Sequence, residues 1–368
     1  MPMKKYSLPL IAGICFSQAT FAQENASDLL SFKPSISANL VSELQIEEFY
    51  SADNPENDLT RSIFRTEFMP KLNFNENFFL DGNIVFEPVQ TSARTSRDSR
   101  FENEGAYFKD LKLNAVFGPW AGSIGKFGPN FGKAWDYGRG IWGEDFAEDY
   151  EITQRIGGSL GYSFATEKYG SHTLNGSTFF KDTSLLTESV VTAKGRTRHR
   201  SGGVSNTNDF SSYVFSLAGA NAGGIESLEY MLSYRHQARG DVNTDNKNEH
   251  GAAATLKYTI PVVENLSFDT FGEYANFENY DGSATADRRY ITGSVITRLY
   301  KNWNVTTAYT SRQISDIDAA TVDDHLFQLT GGYDFGNGFT TEAGYRGTQE
   351  SSADKNGLGA LVRYKAAF

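Results

Sequence analysis

The sequence predicts an all-β fold: a transmembrane antiparallel up-and-down β-barrel of 16 strands, with the third long loop folded into the lumen. Three observations predict it. Apolar and polar residues alternate in short segments along most of the chain, as in strands that have one face in lipid. The connections between these segments alternate between short and long. Aromatic residues make up 14% of the chain, and it contains 35 glycines, a composition that fits a barrel surrounded by lipid.

The first part of the chain predicts a cleaved secretory signal peptide over residues 1–22, followed by a single barrel domain over residues 23–368. Two lysines precede an apolar stretch from 6 to 16, and a small-x-small triplet ends at Ala22. The stretch is too short for a transmembrane helix and has the wrong flanks for one. The alternative interpretation is a buried N-terminal helix.

Charge and cysteine content exclude several classes of protein. Cys15 is the only cysteine and lies in the predicted signal peptide, so no disulfide would stabilise the mature chain. Removing Lys4 and Lys5 from the 34 basic residues leaves 32 against 45 acidic residues, a formal net charge of −13. Nucleic-acid binding needs a basic surface, so we expect no nucleic-acid partner. No second long apolar run follows, so no membrane helix is predicted.

Sixteen segments show the period-two alternation of a strand, each close to the length that a tilted strand needs to cross a bilayer. Between their apolar positions lie polar residues such as Arg235 and Glu342. The fifth and seventh have the weakest pattern. The segments are 36–46, 64–72, 78–86, 107–117, 121–127, 156–164, 174–180, 213–219, 228–234, 252–260, 266–274, 291–299, 303–309, 327–335, 339–345 and 358–368.

The connections favour a membrane barrel over a water-soluble β-sandwich. Short links read "NEN", "GPWA", "YKNWN" and "DFGNG", whereas long polar ones read "SADNPENDL", "QTSARTSRDSRFEN", "ARGDVNTDNKNEH" and "GTQESSADKN". Outer-membrane barrels have short turns on one side and longer loops on the other. A sandwich follows no such rule. In lipid every backbone polar group must be paired, so the last strand must pair with the first, with Arg363 and Lys365 pointing to the lumen.

The third long loop, residues 125–151, is the best candidate for the functional site. It is rich in glycine and aromatic residues, which would be poorly placed in open water but well placed inside a barrel. Its acids are Asp136, Glu144, Asp145, Glu148, Asp149 and Glu151. A barrel of this size encloses an aqueous lumen, so a loop that narrows it would control passage.

Together, the signal peptide, the sixteen alternating segments, the terminal Phe368 and this loop resemble the Gram-negative trimeric outer-membrane porin family. The family's Pro-Glu-Phe-Gly-Gly-like turn is missing, and "FGPNFGKAWDYG" and "GIWGEDF" stand in the loop instead. The resemblance implies a cell outer-membrane location, a homotrimer, contact with lipids and lipopolysaccharide, and a water-filled channel. It also implies that Phe368 is a recognition signal for the barrel-assembly machinery.

What the resemblance implies for the site is an acidic loop at mid-height facing basic residues of the wall. In this chain the acidic side is Asp136, Glu144, Asp145, Glu148 and Asp149, and the basic side is Arg65, Lys112, Arg346 and Arg363. Arg155 and Arg235 are expected nearer the outer mouth. The alternative is that wall charges pair with each other, for example Glu342 with Arg346 or Arg363. Charges in a narrow lumen set selectivity by electrostatics.

Other motifs in the sequence are weaker indications of a functional site. The five histidines lie mostly near loops with no serine or aspartate at a telling spacing, so we expect no enzyme. The segment "DVNTDN", 241–246, resembles a calcium loop but lacks the central glycine and closing glutamate. It is therefore read either as a solvated loop or as a site for Ca²⁺, and no other cofactor or metal is expected. The basic loop "KGRTRHR", 194–200, would meet lipopolysaccharide phosphates, a neighbouring acidic loop or solvent.

Three functions compete. The first is passive diffusion of small hydrophilic solutes and ions, weakly preferring cations because of the net charge and the acidic loop. The second is a solute-specific channel for anions such as phosphate, or for sugars, yet the lumen aromatics Phe79, Phe108, Phe271 and Tyr290 are scattered. The third is a structural or adhesive barrel without a channel. Small residues on the fifth segment, Ala121, Ser123 and Gly125, suggest a trimer contact or a strand whose register is misassigned.

Overall fold

The computed structural model describes residues 32–53, 58–90, 98–138, 140–242, 246–317 and 319–368. The predicted signal peptide, residues 1–22, lies outside these ranges. Among the residues described, no helix has the length and apolar character needed to cross a bilayer.

The described residues form eighteen strands, two of them only two residues long; the other sixteen form the barrel. The barrel strands are β1 Ser35–Tyr50, β2 Thr60–Asn73, β3 Phe78–Pro88, β4 Glu104–Phe117, β5 Trp120–Phe127, β6 Arg155–Thr166, β7 Gly170–Lys181, β8 Ser212–Ala220, β9 Leu228–Gln237, β10 Glu249–Val263, β11 Leu266–Glu278, β12 Ala286–Leu299, β13 Trp303–Asp316, β14 Ala319–Asp334, β15 Phe339–Glu350 and β16 Ala353–Ala367. Every predicted segment corresponds to one of them, including the weak fifth and seventh.

Short elements complete the described part of the chain. The two-residue strands are Ser99–Arg100, which pairs with β2, and Val190–Val191, which pairs with the upper end of β4. One short helix, α1, spans Ala134–Tyr137. Single 3-10 turns lie at Leu185–Thr187, His199–Ser201, Ala222–Gly224 and Tyr280–Gly282.

The barrel is closed by pairing of its last strand with its first. Each barrel strand pairs antiparallel with the next, and β16 pairs with β1 in a register that places Ala367 opposite Asn39. Beyond the strand, the backbone N–H of Phe368 donates to the carbonyl of Ala38 at 2.9 Å, and Ala38 donates back at 3.2 Å. No edge is left open, as lipid requires. The predicted closure and the lumen orientation of Arg363 are confirmed.

The outward side of the wall is apolar, as the alternation predicts. Side chains such as Leu160, Leu232, Ile291 and Leu358 are exposed at about half of their surface, which is the expected arrangement for residues that lipid covers. Aromatic side chains on neighbouring strands also pack together near the strand ends; the ring centroids of Trp303 and Tyr333, for example, are 4.7 Å apart.

Two registers differ from the prediction. In β5 the exposed side chains are Trp120 and Ile124, while Ser123 on the other side hydrogen-bonds Ser159 at 2.7 Å. The small residues Ala121, Ser123 and Gly125 therefore face inward and do not form a lipid-side contact surface. Glycine and alanine on both sides of this short strand blur the alternation, so the side that faces lipid does not follow from residue type.

In β4 a bulge changes the side on which residues lie. The pairing of β3 with β4 shifts between Asn83 and Ile84, so that Lys109 is the extra residue. The alternation over residues 107–117 predicts that Tyr107 and Lys109 face lipid, but Tyr107 is buried and Lys109 forms an ion pair inside the barrel. Alternation alone does not predict a bulge, although the charged Lys109 interrupts an apolar series at this position.

The alternation of short and long connections fails at the last two outer links. The segment "GTQESSADKN" is not a long loop: β15 and β16 run through it and turn at residues 351–352, with Glu350 opposite Ala353. Similarly, β13 and β14 are joined at residues 317–318. These hairpin ends carry polar residues on both sides, so their strand character shows no apolar alternation.

Candidate functional site

The third long loop, residues 128–154, lies inside the barrel. It leaves the wall after Phe127 at the end of β5 and returns at Arg155 at the start of β6. Between these points its residues contact side chains on β1, β2, β4, β9 and β11–β15 as well as β16. The prediction that this loop folds into the lumen is confirmed, and we call it the lumen loop.

An apolar core joins the lumen loop to one side of the wall. Loop residues supply Phe131, Ala134, Trp142, Phe146, Ala147, Tyr150 and Ile152, and wall residues supply Phe179, Val214, Ala253, Phe271, Ala275, Phe277, Tyr290 and Leu326. The glycine- and aromatic-rich composition therefore has a packing role, because burial of these rings stabilises the loop in the lumen. Phe271 and Tyr290, considered above as lumen aromatics for sugar rings, belong to this core.

Glu273 on β11 is the main polar anchor of the loop. Its buried carboxylate accepts hydrogen bonds from the backbone N–H groups of Lys133 and Ala134, which start α1. It also accepts from the hydroxyls of Tyr150 at 2.7 Å and Thr255 at 2.6 Å. Four donors around one buried carboxylate satisfy its charge, as a buried ion requires. The loop is thus fixed at two points far apart in its sequence.

Trp142 is a second anchor, on the side of β14, β16 and β1. It is fully buried, its backbone N–H donates to Gln328 at 3.1 Å, and its indole N–H donates to the carboxylate of Glu47. The ring lies against Gly359, where any side chain would collide with it. Gly359 is therefore required by close approach of the loop rather than by backbone conformation.

Asp149 forms the third anchor, on β12 and β13. Its carboxylate lies 2.8 Å from the guanidinium of Arg312 and 3.4 Å from that of Arg288, and it accepts from the Tyr290 hydroxyl at 2.9 Å. Arg312 in turn pairs with the buried Asp324 at 2.6 Å. Of the predicted loop acids, Asp149 is thus the one most completely neutralised.

The other predicted acids take different places. Glu144 lies 3.7 Å from Arg65, and Asp145 pairs with Arg346 at 2.6 Å. Asp136 pairs at 2.7 Å with Lys133 of the same loop. The side chain of Glu148 is exposed. Three of the five predicted acids therefore meet arginines of the wall.

The predicted basic residues divide in the same way. Arg65 contacts Glu67 at 2.6 Å and Glu87 at 3.2 Å as well as the loop. Arg363 pairs with Glu43 and lies 3.7 Å from Glu342, so the alternative of pairing within the wall applies to it. Arg65 and Arg346 meet the loop, whereas Arg363 does not form an ion pair with its described residues.

Lys112 forms no ion pair with the lumen loop over the described residues. It lies opposite Asp81 in the β3–β4 register. Lys109, the extra residue of the bulge, takes that role: its ammonium lies 3.7 Å from Glu151 and 5.3 Å from the ring centroid of Trp135.

Several acids of the lumen loop are weaker acids than usual. Desolvation by the surrounding loop and wall raises the pKa of Glu144 to about 7, of Glu151 to about 7 and of Asp145 to about 6. The same cause raises the pKa of Glu148. Nearby arginine and lysine side chains favour the ionised forms and offset part of this effect.

Several functional residues were missed by the sequence reasoning. Arg288, Arg312, Glu273 and Glu47 all lie on the inward parity of their strands, so the alternation did place them in the lumen. Nothing in the sequence, however, separates them from the other inward charges. They differ from the other inward charges because they contact the lumen loop, and those contacts depend on the path of the loop through the barrel. Arg235, expected near the outer mouth, pairs with Glu249 at 2.7 Å and donates to the carbonyl of Tyr150 at 2.6 Å.

The remaining candidate motifs do not assemble a site. Over the residues that the structure describes, no group of three or more His, Cys, Asp or Glu side chains is arranged to hold a metal. Residues 243–245 of the calcium-like segment lie outside those ranges, and Asp241 contacts His199 at 3.5 Å. In the basic loop, Arg196 donates to the carbonyl of Thr183 at 2.7 Å and Lys194 lies over the Tyr107 ring.

Comparison with known proteins identifies the fold. No protein-family model matches the chain, and no curated protein matches it. Solved structures do. A loop-deletion form of OmpT, an outer membrane protein of Vibrio cholerae, aligns with a TM-score of 0.56 and 12% identity over 90% of this chain and 99% of that one. The outer membrane channel DcaP of Acinetobacter baumannii aligns with a TM-score of 0.54 and 12% identity over 90% and 97%.

The fold is that of bacterial outer-membrane channels. A trimer form of Vibrio cholerae OmpT aligns as well, with a TM-score of 0.52 and 11% identity over 90% of this chain and 99% of that one. What this chain shares with these outer-membrane proteins is the fold, which here is a closed barrel of sixteen antiparallel strands.

Proposed function

We propose that this chain forms a water-filled channel for passive diffusion of small hydrophilic solutes and ions through the outer membrane, with a weak preference for cations. The observation that carries the proposal is the lumen loop. An apolar core fixes it to one side of the wall, and acidic side chains such as Glu144 and Glu151 lie on its other side. A loop held in this way narrows the lumen without needing to move. We infer no catalytic role for its acids.

The charge balance around the loop supports the cation preference. Three sets of ion pairs on the wall of β1–β4, β15 and β16 and the facing part of the loop join three cations to six carboxylates, a formal charge of −3 within these sets when all are ionised. The cations are Arg65, Lys109 and Arg363, and the carboxylates are Glu43, Glu67, Glu87, Glu144, Glu151 and Glu342. An excess of carboxylates in a confined lumen raises the local concentration of cations.

Planar-bilayer recordings in a KCl gradient test the proposal. We expect discrete conductance steps and a reversal potential of cation sign. The triple variant E144Q/E148Q/E151Q should bring the K⁺/Cl⁻ permeability ratio close to unity, whereas the control variant E76Q/E264Q, in turns at the other end of the barrel, should leave it unchanged. Absence of any conductance would refute the channel, and a reversal potential of anion sign would refute the cation preference.

The same proposal includes a homotrimer embedded in phospholipid and lipopolysaccharide, inserted by the barrel-assembly machinery. The support is the fold it shares with an OmpT that was solved in a trimer form. Mass measurement of the detergent-solubilised protein, corrected for bound detergent, distinguishes three copies from one.

A further inference from the structure

A row of polar side chains crosses the outside of the barrel at the end that carries the longer loops. Residues directly opposite each other on β8 to β11 are Tyr213, His236, His250 and Glu278, one on each strand. His236 is the second-last residue of β9 and His250 the second of β10. The row therefore lies above the apolar belt, at the edge of the membrane where water reaches it.

The two imidazoles of this row meet through the same ring atom. The Nδ1 atoms of His236 and His250 are 3.5 Å apart, and the ring centroids are 4.8 Å apart. The hydroxyl of Tyr234 lies 2.7 Å from Nδ1 of His250. A neutral imidazole has one ring nitrogen with a lone pair. When the Tyr234 hydroxyl donates, that lone pair is on Nδ1 of His250 and points to the hydroxyl, so a metal ion would take the place of this hydrogen bond.

This separation suits two nitrogens that bind one ion. Two nitrogens at the usual Zn–N distance in tetrahedral geometry lie about 3.4 Å apart. Imidazole nitrogens are preferred ligands of zinc, copper and nickel ions. A hollow of about 250 Å³ opens beside the pair, lined by Tyr234, His250, Gly251, Ala252, Asn276 and Glu278. It leaves room for an ion, water and a rotated carboxylate.

We propose that Nδ1 of His236 and Nδ1 of His250 bind a divalent transition-metal ion on the outer surface of the barrel, with Glu278 and water as the remaining ligands. No third protein ligand is in place among the described residues. Binding therefore completes the shell by rotation of the exposed Glu278 side chain, and the hydrogen bond between the Tyr234 hydroxyl and Nδ1 of His250 is broken. The site lies outside the lumen, so it is independent of the channel.

The other histidines serve as matched controls. His172 has a tyrosine partner, with Nδ1 2.9 Å from the Tyr230 hydroxyl. His325 stacks on Tyr309 at 6.2 Å between ring centroids. Both lie on barrel strands, yet neither has a second histidine beside it. A metal that binds any surface histidine would respond to their loss as well, whereas the proposed site would not.

Calorimetric titration of the folded, untagged protein with ZnCl₂ tests the proposal, with Cu²⁺ electron paramagnetic resonance as a second readout. We expect one site per chain and a two-nitrogen hyperfine pattern. H236Q and H250Q should each weaken binding by at least about 100-fold, the upper end of what loss of a supporting group costs. H172Q and H325Q should bind as the parent does.

Two further variants separate binding from a merely structural cluster. E278Q should weaken Zn²⁺ binding, whereas Y234F, which removes the competing hydroxyl, should keep or strengthen it. Thermal unfolding of each variant shows that it is folded, and Zn²⁺ should raise the unfolding temperature only when both histidines are present. No Zn²⁺ binding by the parent protein, or binding by H236Q and H250Q that equals that of the parent, would overturn the proposal.

Discussion

Asp145 of the lumen loop and Arg346 of β15 form an ion pair, with carboxylate Oδ2 2.6 Å from guanidinium Nη1. The loop begins and ends at β5 and β6, so this pair fixes it to a distant part of the wall. Arg346 also lies over the rings of Phe49 and Trp142, at 5.5 and 5.6 Å from their centroids. The pair is thus the polar end of a contact whose apolar end is the buried indole.

Breaking this pair should loosen one side of the lumen loop. R346Q leaves Asp145 without its cation and removes the stacking, so we expect larger current fluctuations and a higher mean conductance. D145N should have a smaller effect, and the double variant should resemble R346Q because the two groups act together. Single-channel recordings measure this. R298Q, which breaks the 2.6 Å wall pair with Asp269, should leave the current unchanged; an equal effect of R298Q would remove the special role of Asp145.

The cation preference should depend on pH near neutrality. Raised pKa values of about 7 for Glu144 and Glu151, and about 6 for Asp145, mean that these acids are ionised above that range and neutral below it. Acidification from about pH 8 to about pH 5 should therefore lower the K⁺/Cl⁻ permeability ratio, whereas ordinary carboxyls stay ionised until about pH 4. Reversal potentials at several pH values measure the change, and E144Q/E151Q should flatten it. An unchanged ratio would contradict the shifted pKa values.

Removal of the Glu273 carboxylate should release the start of α1. E273A leaves two backbone N–H groups and two hydroxyls without their acceptor, and each lost bond to a charged group is worth about 1.5–3 kcal/mol. We expect protease cleavage within the lumen loop while the barrel stays folded. E273Q, which retains one acceptor oxygen, should be cleaved more slowly. Resistance of E273A equal to that of the parent would show that the apolar core alone holds the loop.

Deletion of Phe368 should impair assembly more than it alters conductance. The residue is exposed and pairs with Ala38 through two backbone hydrogen bonds, so its ring contributes little to the folded barrel. Insertion is measured as the fraction of heat-modifiable protein in the outer membrane. F368A is the control that keeps the backbone bonds. Normal assembly of both variants would leave Phe368 without a signalling role.

The alternation of residue types was sufficient for the architecture. Lipid on one side and water on the other impose a period of two on every membrane strand, so the sixteen strands, their closure and the inward side of Arg65, Arg346 and Arg363 followed from the sequence. The prediction failed where that constraint is absent or interrupted. The bulge at Lys109 moved a predicted lipid-facing residue inside, and the polar hairpin ends near residues 317 and 351 have water on both sides.

The sequence predicted where the candidate site lies but not which residues meet in it. Composition alone indicated that residues 125–151 belong inside the barrel, because its rings need burial and its acids need partners. Which partners they take depends on the path of the loop across the lumen, and only the tertiary structure decides this. Asp149 meets Arg288 and Arg312, Trp142 meets Glu47 and Gly359, and Lys109 replaces Lys112, because contacts between distant strands depend on three-dimensional distance and not on spacing along the chain.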